Sequence, residues 1–356
     1  MGEILGIGIS HFPGYVHDDA DMAMRIKGIL KSGQVPQELK DPQNWPAAMR
    51  AEWGEDEGTS FATRHRAQFV ESARKLRAAI DSFRPDAVII CGDDQYENFR
   101  EDLITPYCVY IMPEFRMHPY VWNRGDHFQP NVWNEPREQE FVYPGNVEVA
   151  RFITKAALSA GYDMSYAYSL HHTKEQGLGH AFTNTLLYLD YDRAGWPYPI
   201  IPVHVNAYGS DIVRNRGLMN HLFSGESAEA DPPAPSPRRL FELGQALARA
   251  LHQSPWRTVL VGTSSWSHAF LTEKNHWVYP DIPSDRQRFE DLQSGNYLGW
   301  RDLTLDQLLD AGEHEVLNWM PMVGAMHELE QKPSYCVLME TWIMNSSKCS
   351  TIIPPA

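Results

Sequence analysis

The stretch AVIICGDDQ, residues 87–95, joins five apolar residues to a polar turn. An uninterrupted apolar run of this length, preceded by the helix-ending residues 84–86 and closed by Gly92, predicts a strand that is buried on both faces. Strands of this kind belong to sheets covered by helices, and open sheets of this class tend to place their functional groups at strand ends. The polar residues 93–95 therefore occupy a position at which we expect a site.

Similar apolar runs alternate with amphipathic segments along the rest of the chain. Further strands are predicted at residues 4–9, 103–112, 200–205 and 259–262. The predicted helices cover residues 61–83, 147–160, 181–189, 238–252 and 302–330. This alternation predicts an α/β fold, with a single domain over residues 1–356 in which helices flank a central, mostly buried mixed sheet. Residues 15–60, which are polar and rich in proline and tryptophan, are predicted to form a helical insertion.

The composition excludes several classes of function. The chain of 356 residues carries 31 Lys and Arg against 46 Asp and Glu, a formal net charge of −15. This charge argues against nucleic acid as a partner, because basic side chains must neutralise phosphates. No run of about 18 apolar residues occurs, so no membrane span is predicted. The cysteines show no metal-binding or disulfide spacing and the N-terminal residues lack a basic leader, so the predicted location is the cytoplasm.

Histidines follow several of the predicted strands. His11 comes directly after the first strand, His268 follows the strand at 259–262, and His180 starts a helix after Gly179. A strand-end histidine beside carboxylates from another strand is a common way to assemble a mononuclear metal site, and proton transfer is the other role that suits an imidazole there. For the pair at 93–94, a turn or a helix N-cap is an alternative to metal binding.

Most of the 15 histidines lie in sequence contexts that give less support for a functional role. His171, His172 and His204 are predicted to be structural. His65 lies within the amphipathic helix and is predicted to face solvent. The loop at 113–143, in which aromatic residues stand among prolines, is predicted to shape a pocket for a flat ring.

Six short motifs extend over nearly the whole chain, and their order is more specific than any one of them. They lie at residues 9–13 (ISHFP), 92–99 (GDDQYENF), 179–182 (GHAF), 201–206 (IPVHVN), 262–268 (GTSSWSH) and 311–319 (AGEHEVLNW). In this order the chain resembles the type III extradiol aromatic-ring-cleaving dioxygenases, the superfamily of the protocatechuate 4,5-dioxygenase catalytic subunit.

The resemblance implies an enzyme that cleaves the ring of a catecholic or hydroxylated aromatic substrate with O₂ at a non-haem Fe(II). It also implies a homo-oligomer and, in many members, a small partner subunit. It places His11 as the first metal ligand, His180 as the catalytic acid–base and His268 in the lining of the site. Tyr143 stands where a further pocket histidine is expected, and we predict that it hydrogen-bonds a substrate oxygen.

The remaining metal ligands depart from the family pattern. Asp94 or Gln95 takes the place of the second metal histidine, and Pro283 takes that of the metal glutamate. One alternative combines Asp94 with His11 and His268, because two imidazoles and one carboxylate leave positions open for substrate and O₂. The candidates for the third ligand are Asp281, Glu273, Asp285, His65 and His268.

The altered ligand set leaves the metal and the reaction open. Fe(II) is the expected metal, Zn²⁺ and Mn²⁺ are alternatives, and a site without metal is a further case. A metal-dependent hydrolase or lyase, with a metal-bound water as nucleophile, is the second functional hypothesis. A binding protein without catalytic activity is the third.

Overall fold

A mixed sheet of eight strands forms the centre of the computed structural model, which describes residues 1–121, 130–209 and 232–356. Across these residues the strands are Glu3–Ile9 (β1), Ala87–Asp93 (β2), Tyr107–Tyr110 (β3), Glu114–Met117 (β4), Phe141–Pro144 (β5), Ser165–Ala167 (β6), Ile200–Val205 (β7), Arg257–Thr263 (β8), Tyr335–Met339 (β9) and Lys348–Ile353 (β10). The sheet has the order β6-β3-β7-β2-β8-β1-β10-β9, and β4 pairs with β5 in a separate hairpin.

Parallel pairing defines the inner part of the sheet. The neighbours β7-β2, β2-β8 and β8-β1 are all parallel, whereas β3 is antiparallel to β7 and β10 is antiparallel to β1. The carboxyl ends of β1, β2, β7 and β8 therefore meet at one edge. The predicted α/β fold with a mixed, mostly buried sheet is confirmed.

The inner strands are buried on both faces, as their apolar runs predict. In β2, Val88 and Ile90 belong to one buried apolar cluster, and Ala87, Ile89 and Cys91 belong to the other. Successive side chains of a strand point to opposite faces, so this division shows that a hydrophobic core lies on each side of the sheet.

Helices supply the other half of each core. Across the described residues the α-helices are Met24–Ile29 (α1), Ala47–Trp53 (α2), Thr59–Phe83 (α3), Val147–Ser159 (α4), His180–Leu189 (α5), Pro237–His252 (α6), Ile282–Ser294 (α7), Tyr297–Arg301 (α8), Leu305–Ala311 (α9) and Met320–Glu328 (α10). Apolar residues of α3 and α5 enter the core on one face of the sheet, while those of α4, α6 and α10 enter the core on the other.

Two parts of the fold differ from the sequence prediction. The predicted loop at 113–143 contains the hairpin β4–β5, although residues 122–129 of that loop lie outside the described residues. No strand is predicted after residue 262, yet β9 and β10 form an edge of the sheet. The strand β10 lacks an apolar pattern because Lys348, Ser350 and Thr351 are themselves buried in it.

The segment between β1 and α3 holds α1, α2 and several short 3₁₀ helices. Its residues Ile26, Trp45 and Met49 are buried in the same apolar cluster as one face of the sheet. Within the described parts of the chain, no α-helix is both long and apolar enough to cross a membrane.

Candidate active site

The carboxyl ends of β1, β2 and β8 bring together side chains that are far apart in the sequence. The pairing of β1 with β8 ends at Ile9 and Thr263, so His11 lies beside the turn that leads to His268. Asp93 is the last residue of β2. A 3₁₀ helix at His314–Asn318 closes this edge and contributes Glu315. These four side chains are almost completely buried.

The ring of His11 is oriented by a main-chain carbonyl. Its Nδ1 lies 3.1 Å from the oxygen of Thr263. A carbonyl oxygen only accepts, so Nδ1 carries a proton and Nε2 is the ring nitrogen that faces the site. That Nε2 faces Glu315 Oε2 at 3.2 Å and Asp93 Oδ1 at 3.6 Å.

His268 has the same arrangement on the other side of Glu315. Its Nδ1 donates to the carbonyl of Trp266 at 2.8 Å, and its Nε2 lies 3.5 Å from Glu315 Oε1. Burial lowers the pKa of His268 to about 4, so its imidazole is neutral near pH 7. The Nε2 atoms of two imidazoles therefore face one carboxylate.

Glu315 is held as a carboxylate by its neighbours. The hydroxyl of Tyr208 donates to Oε1 at 2.6 Å, and the amide of Gln95 donates to the same oxygen at 3.0 Å. Burial by itself would raise the pKa of Glu315. Attraction to the His268 and His11 rings in their protonated forms, together with the Tyr208 hydroxyl, outweighs burial and holds the pKa well below its usual range.

Asp93 adds a second carboxylate on the other side of His11. The Asn318 amide donates to its Oδ1 at 2.7 Å, whereas its buried Oδ2 has no hydrogen-bond partner among the described residues. Burial, together with the charge of Glu315, raises the pKa of Asp93 to about 6. An orphaned, buried carboxylate oxygen is costly unless a cation or a proton meets it.

His180 and Glu97 form a buried pair next to His11. His180 begins α5, and its Nδ1 lies 2.5 Å from Glu97 Oε1 while its backbone N–H donates to Oε2 at 3.1 Å. Burial disfavours the charged ring, but the Glu97 carboxylate outweighs burial and raises the pKa of His180 to about 9. The His180 ring meets the His11 ring edge-on, with centroids 5.1 Å apart.

The residues at this edge fit a divalent cation. Ligand atoms from His11, Asp93 and His180 all lie within 4.8 Å of one another. In addition, the Nε2 atoms of His11 and His268 both face the Glu315 carboxylate, a convergence of donor groups that suits a cation. Imidazole and carboxylate donors suit first-row transition metals.

Gly179 is required by the position of Glu97. A Cβ atom at residue 179 would lie 1.9 Å from Glu97 Oε2, and Glu97 cannot yield without leaving His180. We expect Gly179→Ala to destabilise the fold by about 1–3 kcal/mol, as overpacking typically does, and to break the His180–Glu97 pair. Thermal unfolding followed by circular dichroism measures the first effect.

Gly28→Ala is the matched control for that measurement. Gly28 lies in α1 and a Cβ atom there would meet nothing within 4 Å. The substitution should leave stability unchanged or raise it by up to about 1 kcal/mol, since alanine favours helix over glycine. Equal melting temperatures for the two variants would contradict the steric argument at Gly179.

The structure separates the two residues that stand in the place of the second metal histidine. Asp94 points away from the cluster, because its carboxylate accepts the backbone N–H groups of Glu97 at 2.7 Å and Asn98 at 2.9 Å. Asp94 therefore caps the loop after β2. A turn or cap role of this kind is the alternative to metal binding that the sequence left open for residues 93 and 94. Gln95 does reach the site, but as a donor to Glu315.

Tyr143 lies away from this edge. It is in β5, where its ring stacks on Phe141 at 6.4 Å. Burial raises the pKa of Tyr143, and the charges that affect it are those of Arg193, Asp190 and Glu135. Among the described residues, none of those around Glu315 contacts Tyr143.

Of the five candidates for the third ligand, the structure places only His268 at the cluster. His65 is buried, in contrast to the solvent-facing position that its helix pattern predicts, and it packs between Phe61 and Tyr15. Asp285 accepts the backbone N–H of Ser267 at 2.9 Å. The other two have different settings: Asp281 caps α7 and pairs with Lys274, and Glu273 is exposed.

Sequence reasoning missed the carboxylates that complete the cluster. Glu315 lies in the motif at 311–319 and Glu97 in the motif at 92–99, but neither receives a role from the motif alone. Tyr208 and Asn318 likewise carry no signal before the fold is known. Their sequence settings resemble ordinary helix and turn residues, and only burial next to His11 and His268 distinguishes them.

Comparisons with known proteins agree with the resemblance to ring-cleaving dioxygenases. Residues 227–345 match the family model described as the catalytic LigB subunit of aromatic ring-opening dioxygenase. A 2,3-dihydroxyphenylpropionate/2,3-dihydroxicinnamic acid 1,2-dioxygenase from Comamonas testosteroni is 24% identical over 192 residues, which are 54% of this chain and 46% of that protein. The resemblance to the extradiol ring-cleavage dioxygenases is confirmed.

Another relative is a gallate dioxygenase from Pseudomonas putida, 24% identical over 187 residues, or 51% of this chain and 46% of that protein. The chain thus spans about half the length of the curated relatives that it matches. The region that matches the extradiol family model contains His268 and Glu315. His11, Asp93 and His180 lie outside that region, and His11 meets it directly through the contact of its Nε2 with Glu315 at 3.2 Å.

Proposed function

We propose that the protein is a metal-dependent dioxygenase of the extradiol type, which opens the ring of a catecholic or hydroxylated aromatic substrate with O₂. The observation that carries this proposal is the meeting of two imidazoles at one buried carboxylate: His11 Nε2 and His268 Nε2 lie 3.2 and 3.5 Å from Glu315. Two histidines and one carboxylate are the ligand set of non-haem Fe(II) oxygenases. The names of the relatives support the same reaction.

We infer Fe(II) as the metal, held by His11, Glu315 and His268, with Asp93 as a further carboxylate beside His11. A metal ion bound there supplies Lewis acidity toward a substrate hydroxyl and a place at which O₂ and the ring meet. The carbonyls of Thr263 and Trp266 orient the two imidazoles, a role that such second partners usually have around metal ligands.

The His180–Glu97 pair is placed to move a proton. Glu97 binds Nδ1 and the backbone N–H of the same residue, so the orientation of the ring is fixed. Since the pKa of His180 is raised to about 9, its ring carries a proton near pH 7. We propose that His180 gives this proton to a substrate oxygen and takes one back, as a general acid and base.

Metal analysis of protein purified without oxygen, together with O₂ uptake, tests the proposal. We expect one equivalent of iron and consumption of O₂ with at least one member of a panel of catechols and aminophenols. Zinc with no O₂ consumption across the panel would instead support the hydrolase or lyase. If no metal binds and His11→Ala changes nothing, the chain is a binding protein.

Arg25 is a candidate binding residue for an anionic group on the substrate. This partly buried residue of α1 lies over the Phe270 ring, 4.9 Å from its centroid, and that ring packs against His268 at 5.5 Å. Burial lowers the pKa of Arg25, while the nearby Tyr208 and Glu315 act to raise it. Arg25 makes no ion pair with a described carboxylate, and we propose that a substrate carboxylate takes that place.

Arg25→Gln is therefore expected to raise KM for 3,4-dihydroxybenzoate by about 10- to 100-fold, the usual worth of a charge-assisted hydrogen bond. KM for 4-methylcatechol should change little. Lys27→Gln is the matched control, because Lys27 lies in the same helix and pairs with the exposed Glu57. Equal losses on both substrates would show that Arg25 supports the fold instead of selecting the substrate.

A further inference from the structure

A second cluster of metal-binding side chains lies on the surface, outside the candidate active site. His171 Nε2 is 3.1 Å from Asp102 Oδ2, and His172 Nε2 is 2.8 Å from Asp102 Oδ1. One ligand atom from each residue lies within 4.8 Å of the others. The sequence predicts only structural roles for these two histidines, and the structure shows that both rings converge on one carboxylate.

The backbone around this cluster is held in place before any ligand binds. The side-chain oxygen of Asn98 accepts the backbone N–H of His171 at 2.6 Å and that of His172 at 3.1 Å. Asn98 is itself buried, and its amide donates to the hydroxyl of Tyr110 at 3.0 Å. The two rings are therefore presented to Asp102 by a rigid support, which reduces the entropy that a ligand must overcome.

We propose that Asp102, His171 and His172 form a surface site for a borderline transition-metal cation such as Zn²⁺. Two imidazole nitrogens and one carboxylate oxygen are ligands that Zn²⁺ accepts, with water in the fourth position. The side chains of His171 and Asp102 are 65% and 48% exposed, so water reaches that position. Asp102 accepts from both rings, and a cation at the point of convergence would replace these two contacts with stronger ones.

The site would link two loops that carry the buried proton-transfer pair. Asn98 follows Glu97 directly, and its backbone N–H donates to Asp94 in the loop after β2. The loop with His171 and His172 continues to Gly179 and His180. A cation bound at the surface would thus hold together the two segments that position Glu97 and His180, and we expect it to stabilise them.

Zinc counting on the full chain tests this site without any measurement of turnover. Wild-type protein, equilibrated with ZnCl₂ by dialysis and measured by mass spectrometry of the metal, should bind one equivalent more than the double variant with His171→Ala and His172→Ala. Zinc should also raise the melting temperature of the wild type more than that of the double variant, since a ligand stabilises the state that binds it. Asp102→Asn, a change at an exposed position, should give the same loss of zinc.

His252→Ala provides the control for removal of a surface histidine, and its zinc count should equal that of the wild type. Glu315→Gln distinguishes the active site from the surface site. When it is combined with the double variant, the zinc lost from the two sites should add. The proposal is overturned if the double variant and Asp102→Asn bind as much zinc as the wild type. It is also overturned if Glu315→Gln alone abolishes all binding. Both results are independent of whether the protein consumes O₂.

Discussion

Replacing Glu315 by glutamine is expected to remove the active-site metal and nearly all ring-cleaving activity. The carboxylate faces the Nε2 atoms of His11 and His268, and an amide would remove the negative charge that binds a cation between them. Loss of a metal ligand removes several kcal/mol of transition-state stabilisation, so we expect kcat to fall by roughly 1000-fold or more. Iron content after anaerobic reconstitution and O₂ uptake measure the two effects.

Glu313→Gln is the control for this substitution. Glu313 is equally buried, but its carboxylate lies 3.8 Å from Arg288 and away from the imidazoles, and burial raises its pKa to about 7. This variant should keep iron and activity. Retention of stoichiometric iron by Glu315→Gln would contradict the assignment of Glu315 as a ligand and would favour the set formed by His11, Asp93 and His180.

Replacing His180 by alanine is expected to leave the metal in place and abolish turnover. The Glu97 carboxylate holds the proton on this ring, and loss of a general acid–base group typically lowers kcat by about 100- to 10000-fold. Glu97→Gln should have a smaller effect, because the ring stays in place but loses the charge that stabilises its protonated form. Iron analysis and single-turnover kinetics under O₂ measure the two outcomes.

His204→Gln controls for the loss of a buried imidazole. His204 lies in β7, stacks near Phe99 with centroids 4.5 Å apart and contacts the Thr105 carbonyl at 3.2 Å. Its replacement should affect stability and leave kcat largely unchanged. Loss of iron from His180→Ala would mean that His180 is a metal ligand and that another group moves the proton.

The strands of the inner sheet could be predicted because each is a local pattern. Burial on both faces requires a continuous apolar run, and residues 87–91 form one within five consecutive positions. The edge strand β10 could not be predicted in the same way. Its Lys348 is buried beneath Phe12, with the ammonium 3.7 Å from the ring centroid, so its burial depends on a partner that lies at the other end of the chain.

The candidate site was predictable only in part, for a similar reason. The covalent chain itself places His11 two residues beyond a buried strand and His268 beyond another, so their position at one edge follows from the sequence and the parallel pairing. Asp94 illustrates the limit. It adjoins Asp93, but the backbone turns at that point, and its carboxylate is used by the N–H groups of its own loop.

The sequence by itself therefore determined the α/β fold and the strand-end histidines, since both depend on short-range patterns of apolar and polar residues. Only the tertiary structure decided which carboxylates meet those histidines. Glu315 reaches His11 and His268 through a 3₁₀ helix that closes the sheet edge, and Glu97 reaches His180 across two loops. Such contacts join distant parts of the chain, and their electrostatic strength depends on burial, a property that no local pattern records.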